Sequence, residues 1–405
     1  MSASLKRFPL KETNLFKPIK LGECLAQHRV VLPPLTRYRC DNYTPTDLVA
    51  DYYEQRSKRP GTFMISEGTF ISAQAGGCIG VPGIYDDSRQ KAWSKVISKI
   101  HKNNSFIFIQ LWGLGRQADP VLLLNEGNYP FVSLSGIYES EASKIAAIKA
   151  NRPLRPLTKI EINQYIEDYV SSSIRAIKAG ADGVEIHSAN SYLLDQFIQE
   201  ISNKRTDEYG GSIENRSRLL LEIIDKVINE IGSHRVGVRF SPWGKFGGMG
   251  WYNQSPIPQY SYILKELEKK AQMGKRLAYV HFVEPRVSNF KLVSSETEGS
   301  NNFIYDHWKG NVIRAGNYTN DYEATKRDVN SNDRTLIAYG RFFTSNPDLP
   351  NRLEKGLPLT PYNRDQFYKS GPGGFGYTDY PTYEQIIMNE ETQAKKISIG
   401  LTSNL

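Results

Sequence analysis

The sequence predicts an α/β chain closed as a single (β/α)8 barrel, and three observations carry that prediction. Eight short apolar, β-rich segments recur along its 405 residues. Helix-patterned stretches separate them, the alternation that builds a parallel sheet. Polar residues gather where apolar runs end, which in a barrel is the face that holds chemistry. Eight strands favour a closed barrel over an open sheet of five or six.

The predicted strands cover residues 29–32, 62–66, 106–111, 183–186, 235–240, 277–282, 312–315 and 335–339. Several are near-continuous apolar runs, as parallel strands covered on both faces should be. The clearest helix opens on the capping box Thr158-Lys159-Ile160-Glu161. It continues through Ile162, Tyr165, Ile166, Tyr169, Ile174 and Ile177 and stops at Gly180. A second, from Ser212 to Ile231, carries Leu219, Leu220, Ile223, Ile224, Val227 and Ile228 at helical spacing. Two connections, 118–156 and 284–310, are too long for simple βα loops and are expected to shape a pocket. From Glu384 the chain reads equally as a final helix or a loose tail, the latter from about residue 390.

Composition is that of a globular chain, with 39% hydrophobic and 23% charged residues and a net charge of +8. The positive balance suits anionic small molecules. No zinc-finger spacing or recognition module points to nucleic acid, and no apolar run of about 18 residues points to a membrane. Cys24, Cys40 and Cys78 are few, odd in number and without metal-ligand spacing, so reduced thiols in a cytoplasmic protein are expected and no metal site is. The terminal Ser403-Asn404-Leu405 loosely echoes a peroxisomal address but lacks its lysine.

The chemistry is concentrated around the fourth strand. Just after Val184 and Ile186 come His187, Asn190 and Tyr192. His and Asn can both donate to one substrate oxygen, and a phenol can deliver a proton. Alone, such residues serve more often as caps and packing. No Gly-x-Gly-x-x-Gly follows a strand and no Walker motif occurs, so a Rossmann or P-loop reading fails. Phosphate can instead be held by loops after the seventh and eighth strands of a barrel. These are Arg314-Ala315-Gly316-Asn317 and Tyr339-Gly340-Arg341-Phe342. Gln110 and Arg239 emerge from apolar strands, either to close an internal ion-pair layer or to bind a planar polar ring such as an isoalloxazine.

The chain resembles the Old Yellow Enzyme family of FMN-dependent ene-reductases, in its fungal branch, over nearly its full length. The motifs are Leu32-Pro33-Pro34-Leu35-Thr36-Arg37, Ser66-Glu67-Gly68-Thr69, Gln110-Leu111-Trp112, His187-Ser188-Ala189-Asn190-Ser191-Tyr192, Asn203 through Ser212, Arg239-Phe240-Ser241-Pro242, Arg314-Ala315-Gly316-Asn317 and Gly340-Arg341-Phe342. The resemblance implies one FMN-binding barrel domain over 1–405, with noncovalent FMN at its C-terminal mouth. Pro34, Leu35 and Thr36 would line the flavin, Thr36 bonding near C4 and tuning its potential. Gly68, Gln110 and Arg239 would hold the polar edge and ribityl chain, and Gly316, Asn317, Gly340 and Arg341 the phosphate region. His187 and Asn190 would grip a carbonyl, nitro or phenolate oxygen, and Tyr192 would protonate the α-carbon. Trp112, Phe246, Phe290 and Tyr368 would form pocket walls.

The mechanism so implied is ping-pong. NADPH reduces the flavin and leaves; an enone, enal or nitroalkene then takes the same pocket, receives hydride at Cβ and a proton at Cα. Phenolic ligands and a homodimer are further family expectations. The chain departs from the pattern at Arg116, where relatives often carry a bulky aromatic, at Tyr38 and Cys40, and in a lengthened Gly373-Gly374-Phe375-Gly376; these bear on substrate preference. Three rival readings suit the residues less well. A dienoyl-CoA-reductase-like barrel needs four cluster ligands that three scattered cysteines cannot supply. A steroid- or phenol-binding flavoprotein with incidental turnover would not need Tyr192. A metal-dependent barrel would need more than the lone His187 at a strand end.

Overall fold

The structure, a computed structural model, describes residues 7–251, 255–285, 287–288, 291–292, 299–371 and 373–402. Eight parallel strands close on one another: β1 (Val30–Leu32), β2 (Phe63–Ile65), β3 (Phe106–Trp112), β4 (Gly183–Ser188), β5 (Val236–Phe240), β6 (Tyr279–Val283), β7 (Val312–Ala315) and β8 (Thr335–Ala338). They run around the barrel in chain order, β8 pairing with β1 and β2 with β3. The predicted (β/α)8 barrel is the fold.

Helices α1 (Asp47–Arg56), α2 (Asp87–His101), α3 (Lys159–Lys178), α4 (Ile213–Ile231), α5 (Ile257–Gln272), α6 (Ile304–His307), α7 (Tyr322–Ser331) and α8 (Leu349–Lys355) occupy the crossovers. The α3 capping box forms as the sequence predicts, with Thr158 Oγ1 accepting from the Glu161 N–H and the Glu161 carboxylate from the Thr158 N–H. Such a cap contributes about 1 kcal/mol. Ser212 caps α4 by the first half of that pattern alone, its Oγ accepting the Asn215 N–H. The chain closes on a helix over Tyr383–Thr402.

Side chains alternate across each strand, so the barrel has two cores. Outward residues such as Val30, Ile107, Val184 and Val238 pack against the helices. Inward ones build an aromatic layer of Phe63, Phe108 and Tyr279, with ring centroids 5.0 to 5.7 Å apart. The hairpin Ile19–Leu21/Cys24–Ala26 plugs the barrel from below. Gly22 allows that approach, because it takes φ +57° and a Cβ there would meet the His234 carbonyl oxygen. The rings fill the bottom of the barrel and leave its C-terminal mouth open.

The 118–156 connection carries two helices, Pro120–Gly127 and Glu141–Lys149, and a short strand pair, Val132–Ser133 with Arg155–Pro156.

Candidate active site

The turn after β4 carries the proposed proton-delivery chemistry. His187 and Ser188 extend the strand beyond its expected end, since they remain paired with Arg239 and Phe240 of β5. His187 therefore projects from the sheet itself, not from a loop. The chain then turns through two residues in the left-handed region, Asn190 (φ 56°) and Ser191 (φ 66°). Asn tolerates this conformation; Ser does so at a cost of about 1 kcal/mol. Side chains from elsewhere hold the turn. Ser241 Oγ accepts the Asn190 N–H at 2.7 Å, and Asp195 Oδ2 accepts the Ser191 N–H at 2.9 Å. Asp195 Oδ1 in turn accepts from Gln199 and Tyr260. Gln196 donates to the Ser191 and Leu114 carbonyls.

This frame packs three rings together. The Tyr192 ring stands edge-on to Trp112 at 4.7 Å and to His187 at 5.1 Å. Burial, then the Arg239 charge, pushes the His187 imidazole well below its usual range, so it is neutral at neutral pH. Among the described residues its Nδ1 has no hydrogen-bond partner, and neither has the indole N–H of Trp112. Burial raises the Tyr192 phenol above its ordinary value, so it keeps its proton.

Trp112, His187, Asn190, Tyr192 and Arg239 line one cleft of about 490 Å³ at the barrel mouth. Pro34, Leu35 and Thr36 reach it from the β1 loop, Gly68 from beyond β2, Gln110 from β3 and Arg239 from β5. Gly316 and Asn317 follow β7, and Gly340 and Arg341 follow β8. A side chain at Gly68 would lie 2.6 Å from the Trp112 ring, so glycine leaves that wall flat. Trp112 and Phe246 line the cleft, and the half-exposed Tyr368 stands at its rim. Phe290 lies outside the described residues.

The residues suit a phosphorylated planar cofactor. The volume is that of a cofactor pocket. Gly316, Asn317, Gly340 and Arg341 follow the adjacent strands β7 and β8, and buried polar atoms without a partner among the described residues (His187 Nδ1, Arg239 Nε, Trp112 Nε1) belong to residues of its wall. The two readings of Gln110 prove compatible: it donates to buried Glu185 at 2.8 Å while also lining the cleft.

Sequence reasoning missed part of the lining. Tyr38 pairs with Tyr368 at 5.6 Å, and Phe342, Tyr362 and Phe367 extend the aromatic wall. The signal was the recurrence of aromatics in Tyr362, Phe367 and Tyr368. One expectation is corrected. The 118–156 connection supplies no lining residue; Leu123, Phe131 and Ala147 instead back the wall formed by Phe70 and Trp112. Those three side chains are buried against that wall, while Val121, Ile145 and Ile148 of the same connection stay exposed. Arg116 is also outside the lining. It is buried and donates to the Gly247 and Gly248 carbonyls at 2.8 and 3.2 Å, tying down the loop that carries Phe246.

Comparisons with known proteins agree with this geometry. The sequence profile of the NADH:flavin oxidoreductase / NADH oxidase family matches residues 14–360. Enoate reductase 1 of Kluyveromyces lactis is 50% identical, the alignment covering 94% of this chain and 96% of the relative. A probable NADPH dehydrogenase of Candida albicans is 46% identical, with 94% of each chain covered. Among solved structures, Old Yellow Enzyme from a Pichia species superposes with a TM-score of 0.87 at 48% identity, covering 93% of this chain and 95% of that one. The chain belongs to the NADH:flavin oxidoreductase / NADH oxidase family and is an FMN-dependent NAD(P)H oxidoreductase of the Old Yellow Enzyme type.

Proposed function

We propose that the protein is an NADPH-dependent ene-reductase that binds FMN noncovalently and reduces the activated C=C bond of enones, enals and nitroalkenes. The observation that carries this reading is that His187, Asn190 and Tyr192 line the same cleft as the ten residues suited to the flavin.

Pro34, Leu35, Thr36, Gly68, Gln110 and Arg239 would hold the ring and ribityl chain, and Gly316, Asn317, Gly340 and Arg341 the phosphate. Bound FMN supplies the two-electron carrier that accepts hydride from the nicotinamide and returns it to the substrate. The neutral His187 and the Asn190 amide each offer a donor to the substrate's carbonyl or nitro oxygen. Charge that develops on that oxygen when hydride reaches Cβ is stabilised most in a site already stripped of water. Tyr192 holds its proton by burial and delivers it to Cα. Trp112, Phe246 and Tyr368 exclude water and set the substrate's outline.

The test is the visible spectrum of purified protein under anaerobic conditions. A flavin band bleached by NADPH and restored by 2-cyclohexenone supports both half-reactions, and Tyr192→Phe should slow only the second. Tight phenol binding without enone turnover would instead favour a binding flavoprotein. A colourless protein that FMN cannot reconstitute would sink the reading.

A further inference from the structure

Directly beneath the cleft lies a polar layer to which the chemistry above assigns no task. Glu185 on β4 and His281 on β6 are both fully buried. Glu185 Oε1 accepts from Gln110 Nε2 at 2.8 Å, and Oε2 accepts from His281 Nδ1 at 2.9 Å. Burial holds His281 below the usual imidazole range against the pull of Glu185, so the imidazole is a neutral donor. The cation of the layer is Arg239 on the intervening β5, whose charge Glu185 supports.

A carboxylate at this depth costs several kcal/mol unless paired, and a purely structural pair would close on itself. This layer does not. Among the described residues Arg239 Nε has no partner, and both Gln110 and Arg239 line the cleft. A carboxylate only accepts hydrogen bonds, so it draws the NH2 group of Gln110 downward. The amide oxygen is then what Gln110 has left for a ligand above. Arg239 likewise meets the ligand as a cation whose field is partly cancelled from below.

We propose that Glu185, supported by His281, is a positioning residue for the flavin: it sets the orientation of Gln110 and offsets the charge of Arg239, holding the flavin's reduction potential down. The inference rests on the reading of the cleft as an FMN site. Reduction adds negative charge to the isoalloxazine, so a nearby cation favours the reduced form and a buried anion opposes it. The two effects can be separated by substitution. Glu185→Gln keeps the shape and removes the charge, while Glu185→Asp keeps the charge and withdraws it by one methylene from Gln110.

The experiment measures FMN dissociation constants and the midpoint potential of the holoenzyme for native protein and both variants. For Glu185→Gln we expect reduced FMN to gain about tenfold over oxidised FMN, a positive shift of about 30 mV for a two-electron couple. For Glu185→Asp we expect both redox forms to bind about tenfold more weakly, with the potential near the native value. Should Glu185→Gln not fold, the Glu185→Asp pattern alone decides, and unchanged FMN affinity there overturns the proposal. A Glu185→Gln holoenzyme with native potential also overturns it, whatever its thermal stability, because a merely structural role would move stability alone. Failure of the native protein to bind FMN would overturn both this inference and the cofactor reading beneath it.

Discussion

A phenol kept protonated by burial can act as an acid across the whole neutral range, and Tyr192 is such a phenol. The sign of its shift has a kinetic consequence. An unperturbed tyrosine loses its proton near pH 10, whereas raising the value moves the alkaline limb of any step that needs the proton to higher pH. We therefore expect the enone half-reaction, followed by stopped flow with pre-reduced enzyme, to stay level through pH 10. A limb below pH 9 would contradict the assignment. The neighbouring Ser191 is strained for a different reason. It sits at φ 66°, and its buried hydroxyl has no partner among the described residues. Ser191→Gly removes both penalties while adding the flexibility of glycine to the unfolded chain. The balance should be a gain of about 1 kcal/mol in unfolding free energy, read from a denaturant titration. A loss would mean that the hydroxyl has a partner in solution, such as bound water.

Among the elements, the ones legible from sequence were those whose signal is local. Seven of the eight strands end within one residue of where their apolar runs end, and the α3 cap is written in four consecutive residues. β4 runs two residues further than expected because its polar end, His187 and Ser188, stays hydrogen-bonded to β5, which composition does not reveal. Tyr368 was legible as a wall residue, but its pairing with Tyr38 was not: the two meet across 330 positions of chain, and neither segment announces the other. Arg116 falls between the two. Its departure from the family pattern left substrate preference open and read equally as surface drift, whereas the structure buries it as a clasp on the loop carrying Phe246. Charge-assisted hydrogen bonds of this kind are worth about 1.5 to 3 kcal/mol each where buried. Arg116→Leu should release the loop and lower kcat/KM for bulky enones about tenfold or more, leaving the FMN dissociation constant unchanged because Arg116 does not line the cleft. Equal losses for small and bulky substrates would show that the clasp does not shape the pocket.

On the scale of the whole molecule, the cleft is where the barrel's weakest seam and its ligand site coincide. β1 shares two register pairs with β8 and two with β2, against five between β4 and β5. The loops leaving β1, β2, β7 and β8 supply Pro34, Leu35, Thr36, Gly68, Gly316, Asn317, Gly340 and Arg341, so a ligand in the cleft touches both sides of that seam. Anything that binds the folded state alone stabilises it by mass action, about 2.7 kcal/mol when present at 100 times its dissociation constant. The stabilisation should not be uniform, since segments with few cross-strand bonds open before the core does. Stripping FMN should therefore lower the melting temperature in a manner reversed by added FMN. It should also speed amide exchange first at Ile337 and Tyr339, whose N–H groups reach across the seam to Arg29 and Val31 at 2.9 and 3.0 Å. The β4–β5 ladder should keep its protection longer. Exchange that accelerates equally around the barrel would mean that the cofactor stabilises the fold as one cooperative unit, and that the seam is no weaker than the rest.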